Sequence, residues 1–239
     1  RVARRGASPG AGIPFLLAAR PDLAERVSLV SSVTPYADMR KIICLATTER
    51  YEYPDGYRSY GVTNLLRRAI ARSMTVSIPA CDERERLLDS VGSILEEDNP
   101  FARIRPSEEW EAATTRAIVR LLENREPSRF AELFEDLPAD LRAMIGDLSP
   151  LTVAAAVQAP VEMAVPPLDR YFPADEAAAL ARVLPRGRLT VTSALDHTRP
   201  GFSLLHLRGY TAFPGCVVRT LSWDEHRSEL QYQAHLDCR

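Results

Sequence analysis

Gly6-Ala7-Ser8-Pro9-Gly10 is the stretch that decides how the chain is read. The spacing G-x-S-x-G marks a sharp strand-to-helix turn that holds a serine hydroxyl out at the end of a strand, with glycines where backbone must approach backbone closely. Far downstream stand Asp169 and His197, an acid and then a base in the order that a Ser, Asp, His relay requires. A serine hydroxyl attacks only if a base takes its proton, and the base needs a third group to orient it and balance its charge. A lone G-x-S-x-G is a weak signal. Three such residues, each at the C-terminal end of an expected strand, form a stronger one, because ligands of parallel sheets bind at that edge.

Around the motif the apolar pattern reads as strand, turn, helix, strand. Residues 2–5 precede the turn in the position of a strand, although Arg4 and Arg5 do not suit a buried one. Phe15-Leu16-Leu17-Ala18-Ala19 continues as a helix that stops near Pro21, and residues 27–33 are the next strand. From about residue 38 to 148 apolar residues recur at helical spacing: Val62 to Met74, Leu87 to Leu95 and Trp110 to Leu122. Turn signals at Pro54-Asp55-Gly56, Pro79, Asn99-Pro100 and Pro127 separate these segments, and no strong strand candidate lies among them. The αβ rhythm resumes with a strand over 159–165 that leads into Pro166-Pro167-Leu168-Asp169. A helix opens at Pro173 with acids in its first turn, and a last strand over 188–192 runs into the loop with His197. An amphipathic segment with Phe213, Val217, Val218 and Leu221 is expected to cover the sheet.

Composition bounds the rest. The 239 residues are 46% hydrophobic, enough for a real core, and the net charge of -2 offers no basic field for nucleic acid. Cys44, Cys81, Cys216 and Cys238 are scattered without metal-ligand spacing, so they read as ordinary thiols, and no metal or cofactor is implied. No apolar run approaches the roughly 20 residues of a membrane helix and no signal peptide is visible, so the expected location is cytoplasmic. His206, His226 and His235 receive no role. The tyrosine group Tyr51, Tyr53, Tyr57 and Tyr60 reads as a loop packed on its own surface, and the charge cluster 82–86 as a solvated helix face.

Taken together, Gly6-Ala7-Ser8-Pro9-Gly10-Ala11, Val33-Thr34-Pro35-Tyr36-Ala37-Asp38, Leu45-Ala46-Thr47-Thr48, Asp169-Arg170-Tyr171-Phe172-Pro173 and Ala194-Leu195-Asp196-His197 resemble an α/β-hydrolase of a bacterial serine-hydrolase subgroup. The resemblance implies a parallel sheet flanked by helices, with core segments at 1–37 and 149–223, a helical cap insertion at 38–148 and a polar tail at 224–239. It implies Ser8 as nucleophile, Asp169 as orienting acid and His197 as general base, acting on a small-molecule acyl substrate such as a carboxylic ester.

Two departures accompany the resemblance. Such folds place four strands and an oxyanion loop before the elbow, so the chain reads as the portion that starts there, with a sheet edge open to self-association. The residue after the nucleophile usually gives its backbone N–H to the oxyanion, and Pro9 has none. The alternative reading is therefore a non-catalytic or truncated hydrolase-like chain that binds a ligand or partner. Ser8-Pro9 also fits a plain helix start, with Ser as N-cap and Pro at N1.

Overall fold

The computed structural model describes residues 2–94, 96–197, 199–200 and 214–220. In chain order, β1 (Val2–Ala7) passes through a 3-10 turn (Ser8–Gly12) into α1 (Ile13–Ala19), α2 (Pro21–Ala24) and β2 (Val27–Val33). Then come α3 (Met39–Thr48), the strands β3 (Arg50–Tyr53) and β4 (Gly56–Ser59), and the helices α4 (Asn64–Val76), α5 (Asp82–Val91), α6 (Ala113–Glu123), α7 (Pro127–Glu135) and α8 (Ala139–Asp147). β5 (Val161–Val165), α9 (Ala174–Val183), β6 (Gly187–Val191), β7 (Leu195–Asp196) and β8 (Arg199–Pro200) follow, and residues 214–220 are helical. The chain divides into two compact units, one of Met39–Asp147 and one of the residues on either side.

The flanking unit is an α/β layer built on a parallel sheet of order β1-β2-β5-β6. β5 reads Val-Glu-Met-Ala-Val and is buried along its whole length, as expected of a strand covered on both faces. On one face Val30, Val161 and Met163 pack with Phe15 and Ala18 of α1 and with Leu180 and Leu184 around α9. On the other face Ala164 and Val33 meet Leu195 and Cys216, the latter from the helical residues 214–220. Each fully buried Leu or Phe contributes about 1.5–3 kcal/mol through its loss of water contact. Phe213 and Leu221, expected to join this cover, lie outside the described residues, as do the three unassigned histidines and the 224–239 tail.

Among the described residues β1 forms one edge of the sheet, and Arg4 and Arg5 are exposed there. That resolves their poor fit to a buried strand, since charged side chains on an edge discourage pairing with other chains. Pro14 is tolerated because it stands in the first turn of α1, where a missing N–H costs nothing.

The Met39–Asp147 unit is mainly helical, with two corrections to the sequence reading. Tyr51, Tyr53 and Tyr57 belong to an antiparallel hairpin, β3 with β4, closed by Pro54-Asp55. Gly56 takes φ +120 at its close, a conformation that side chains rarely adopt. Tyr51 is buried edge-on to Tyr53 at 5.0 Å, and Arg58 covers the Tyr53 ring. The C-terminal carbonyls of α3 are met by cations, with Arg67 Nε donating to Ala46 O and Arg125 to Thr47 O.

The cluster 82–86 is likewise not a uniformly solvated face. Glu83 is buried and accepts the N–H groups of Glu111 (2.6 Å) and Ala112 (3.2 Å), capping the start of α6 from another helix. Burial works to raise its pKa, but those N–H donors, the Thr115 hydroxyl and the charge of Arg86 together outweigh it and the net shift is downward. The stability that this cap contributes is present above the ordinary glutamate range and is lost as pH falls through the lowered value.

The described cysteines differ in reactivity: Cys81 is exposed, whereas burial pushes the Cys44 thiol up to about 11 and raises that of Cys216. Among the described residues no helix is long and apolar enough to cross a membrane, and no group of His, Cys, Asp and Glu could hold a metal ion.

Candidate functional site

Because the four strands run parallel, the segments that follow β1, β5 and β6 all leave the same edge of the sheet. β1 delivers Ser8, β5 leads to Asp169 and β6 leads through β7 to His197. The backbone of Ser8 begins the 3-10 turn directly after β1. Ala7, not Ser8, is the N-cap, and Pro9 stands in the first turn, so the plain-cap reading of Ser8 does not hold. The Ser8 and Pro9 side chains lie outside the described residues.

The two glycines of the motif differ in what they do. A Cβ on Gly6 would lie 2.6 Å from Gly10 O and 3.0 Å from Ala11 Cα, both backbone atoms, and 2.9 Å from Pro14 Cγ. The chain folds back over Gly6 so closely that only glycine fits. Around Gly10 nothing stands within 4 Å. Gly6→Ala is expected to destabilise the protein by about 1–3 kcal/mol through overpacking, while Gly10→Ala leaves the denaturation midpoint nearly unchanged. Urea unfolding of the two variants checks the contrast.

Asp169 and His197 come together. His197 Nδ1 lies 2.7 Å from Asp169 Oδ2, and both residues are buried, at 9% and 7% exposure. The other carboxylate oxygen, Oδ1, accepts the backbone N–H groups of Tyr171 (2.7 Å) and Phe172 (3.0 Å). An ionised carboxylate only accepts, so facing one Nδ1 carries a proton, and whenever the ring is neutral Nε2 is then the nitrogen left free to accept. His197 has φ 56, in the left-handed region that costs a non-glycine residue about 1–2 kcal/mol. Thr34, directly after β2, has φ 51, so two strained residues stand at this one edge.

Two further contacts shape the pair, through Tyr171 and Arg170, to which the sequence reading assigned no role. The Tyr171 ring lies 4.2 Å from the imidazole, tilted by 43°, and covers one side of it. Arg170 pairs with Asp196 at 2.8 Å, so the residues next to Asp169 and His197 tie the same two loops together at the surface.

Glu176, in the first turn of α9, does more than complement the helix dipole. It is 1% exposed, and its Oε2 accepts the N–H groups of Ala37 (2.7 Å) and Asp38 (2.9 Å), fixing the loop after β2. Tyr36 in the same loop donates its hydroxyl to Leu148 O at 3.0 Å, and burial pushes its pKa up to about 12. Glu176→Ala strands two backbone donors and is expected to cost about 3 kcal/mol, with Glu176→Gln recovering much of the loss because its amide oxygen still accepts. Chemical denaturation at neutral pH reads both.

No family model matches the chain, and no curated protein matches it. Among solved structures it is similar to a single-substitution variant of a meta-cleavage product hydrolase, with 14% identity, 79% of this chain and 55% of that chain covered, and a TM-score of 0.32. It is also similar to a meta-cleavage product hydrolase from Pseudomonas fluorescens, mutated and complexed with acetates (13% identity, 77% and 53% covered, TM-score 0.30). A third is an acetylester hydrolase from Corynebacterium glutamicum (13% identity, 80% and 52% covered, TM-score 0.34). The chain spans about half the length of each of these proteins.

Proposed function

We propose that the chain is an α/β-hydrolase-type serine hydrolase in which Asp169 and His197 activate Ser8 against a carboxylic ester or related acyl compound. The observation that carries the reading is the buried 2.7 Å link between His197 Nδ1 and Asp169 Oδ2, at the sheet edge to which β1 also leads. In the reaction, Ser8 Oγ attacks the carbonyl carbon as its proton passes to His197 Nε2. Nε2 then protonates the departing alcohol, leaving an acyl-Ser8. A water molecule, deprotonated by Nε2, attacks that acyl group, and the acid leaves as Ser8 recovers its proton. Asp169 holds the imidazole and balances the imidazolium without itself taking the proton. The helical unit Met39–Asp147 would serve as the cap that selects the acyl group.

Pro9 favours a second reading, a non-catalytic hydrolase-like chain, because it offers no N–H to the developing oxyanion. Incubation with p-nitrophenyl acetate separates the two. The hydrolase reading expects release of p-nitrophenol and an acetyl group on Ser8 in the intact-mass spectrum, with slow turnover and neither signal in Ser8→Ala. Release that is unchanged in Ser8→Ala, or no acylation at all, favours the second.

A further inference from the structure

Away from the Asp169–His197 edge, a cleft of ≈ 380 Å³ opens where β5 and β6 begin. Its wall combines the apolar Leu29 and Pro160 with Glu162, Arg186, Arg188 and Arg219. Glu162 is the second residue of β5 and stands opposite Arg188 of β6 in the strand register. Its side chain is 8% exposed and is held by both ends of one guanidinium, Arg219 Nε to Oε1 at 2.9 Å and an Arg219 Nη to Oε2 at 3.0 Å. Arg188 approaches Glu162 only to 3.9 Å and stays two-thirds exposed, and Arg186 is exposed beside it.

Among the described residues the charge around this cleft does not balance. One carboxylate faces three guanidiniums there and is already engaged bidentately by one of them, so Arg186 and Arg188 add two positive charges to a concave surface. Guanidiniums present paired N–H groups that match the oxygens of phosphate, and two of them match its double charge. The volume lies within the range of small-molecule sites and exceeds what a bare phosphate needs, leaving room for an organic body against Leu29 and Pro160.

We propose that this cleft is a binding site for a phosphorylated small molecule, with Arg186 and Arg188 holding the phosphate and the pair of buried Glu162 with half-buried Arg219 fixing the floor. It stands at the opposite ends of the strands from Asp169 and His197, so its occupancy does not depend on the catalytic reading.

The test is titration with inorganic phosphate and with phenyl phosphate, chloride being adjusted to constant ionic strength and binding read by calorimetry and thermal unfolding. Saturable binding is expected, tighter for phenyl phosphate, and weaker by about tenfold or more in Arg186→Ala/Arg188→Ala, as charge-assisted hydrogen bonds are lost. Both arginines are exposed, so the double variant should keep the wild-type circular dichroism; Arg219 is left in place because its removal would strand Glu162. His197→Ala should bind as the wild type does. No saturable signal beyond the chloride control, undiminished binding in the double variant, or loss of binding in His197→Ala would each overturn the proposal.

Discussion

Asp169→Asn is expected to slow acylation of Ser8 by about 10⁴-fold while leaving the protein folded. The wild-type carboxylate receives His197 Nδ1–H on Oδ2, and the Tyr171 and Phe172 N–H groups on Oδ1. An asparagine offers one acceptor oxygen and one NH₂ group in the same space. If its oxygen keeps the two backbone donors, its NH₂ faces Nδ1 and forces the proton onto Nε2, the nitrogen that must receive the proton of Ser8. The geometry survives and the base is lost. Stopped-flow release of p-nitrophenol, with circular dichroism as the folding check, measures the effect. A loss of less than about tenfold would mean that Asp169 does not set the tautomer of His197.

Pro9→Ala is expected to work in the opposite direction, raising the acylation rate by about a hundredfold. A backbone N–H after the nucleophile stabilises the oxyanion of the tetrahedral intermediate, and proline removes it. The proline stands in the first turn of a 3-10 segment, where a helical N–H has no intrahelical partner, so replacing it disturbs no helical hydrogen bond. Alanine also relaxes the restriction that a proline places on the residue before it, here Ser8 itself. The same burst assay reads the gain, and an unchanged or lower rate with the fold intact would place the oxyanion elsewhere.

Much of the α/β unit is legible in the sequence because parallel strands are written as short apolar runs. Residues 27–33 and 161–165 are strands for that reason, and the turn after β1 announces itself by Gly6, where the structure leaves no space for a Cβ. Asp169 and His197 can be paired from sequence because strand direction alone sends both to one edge. The β3–β4 hairpin was hidden because its strands are four residues each and mix tyrosine with Arg and Glu, too short for a clear alternation.

The long-range roles of Glu83 and Glu176 were not legible for a different reason. Each sits in the first turn of its own helix, where a carboxylate has a sufficient local explanation, yet each accepts N–H groups from a segment distant in the chain. Such roles depend on tertiary approach and leave no local pattern. The edge position of β1 was foreshadowed by Arg4 and Arg5, whose charge fits solvent better than a central strand.

In the proposed reaction the Asp169–His197 pair makes Ser8 a nucleophile. A fluorophosphonate probe followed by peptide mass spectrometry tests it most directly, because phosphonylation needs an activated serine but no completed turnover. A single modified residue, Ser8, is expected, with labelling lost in Ser8→Ala and in His197→Ala and strongly slowed in Asp169→Asn. Labelling at another residue, or labelling of Ser8 at the same rate without His197, would contradict it.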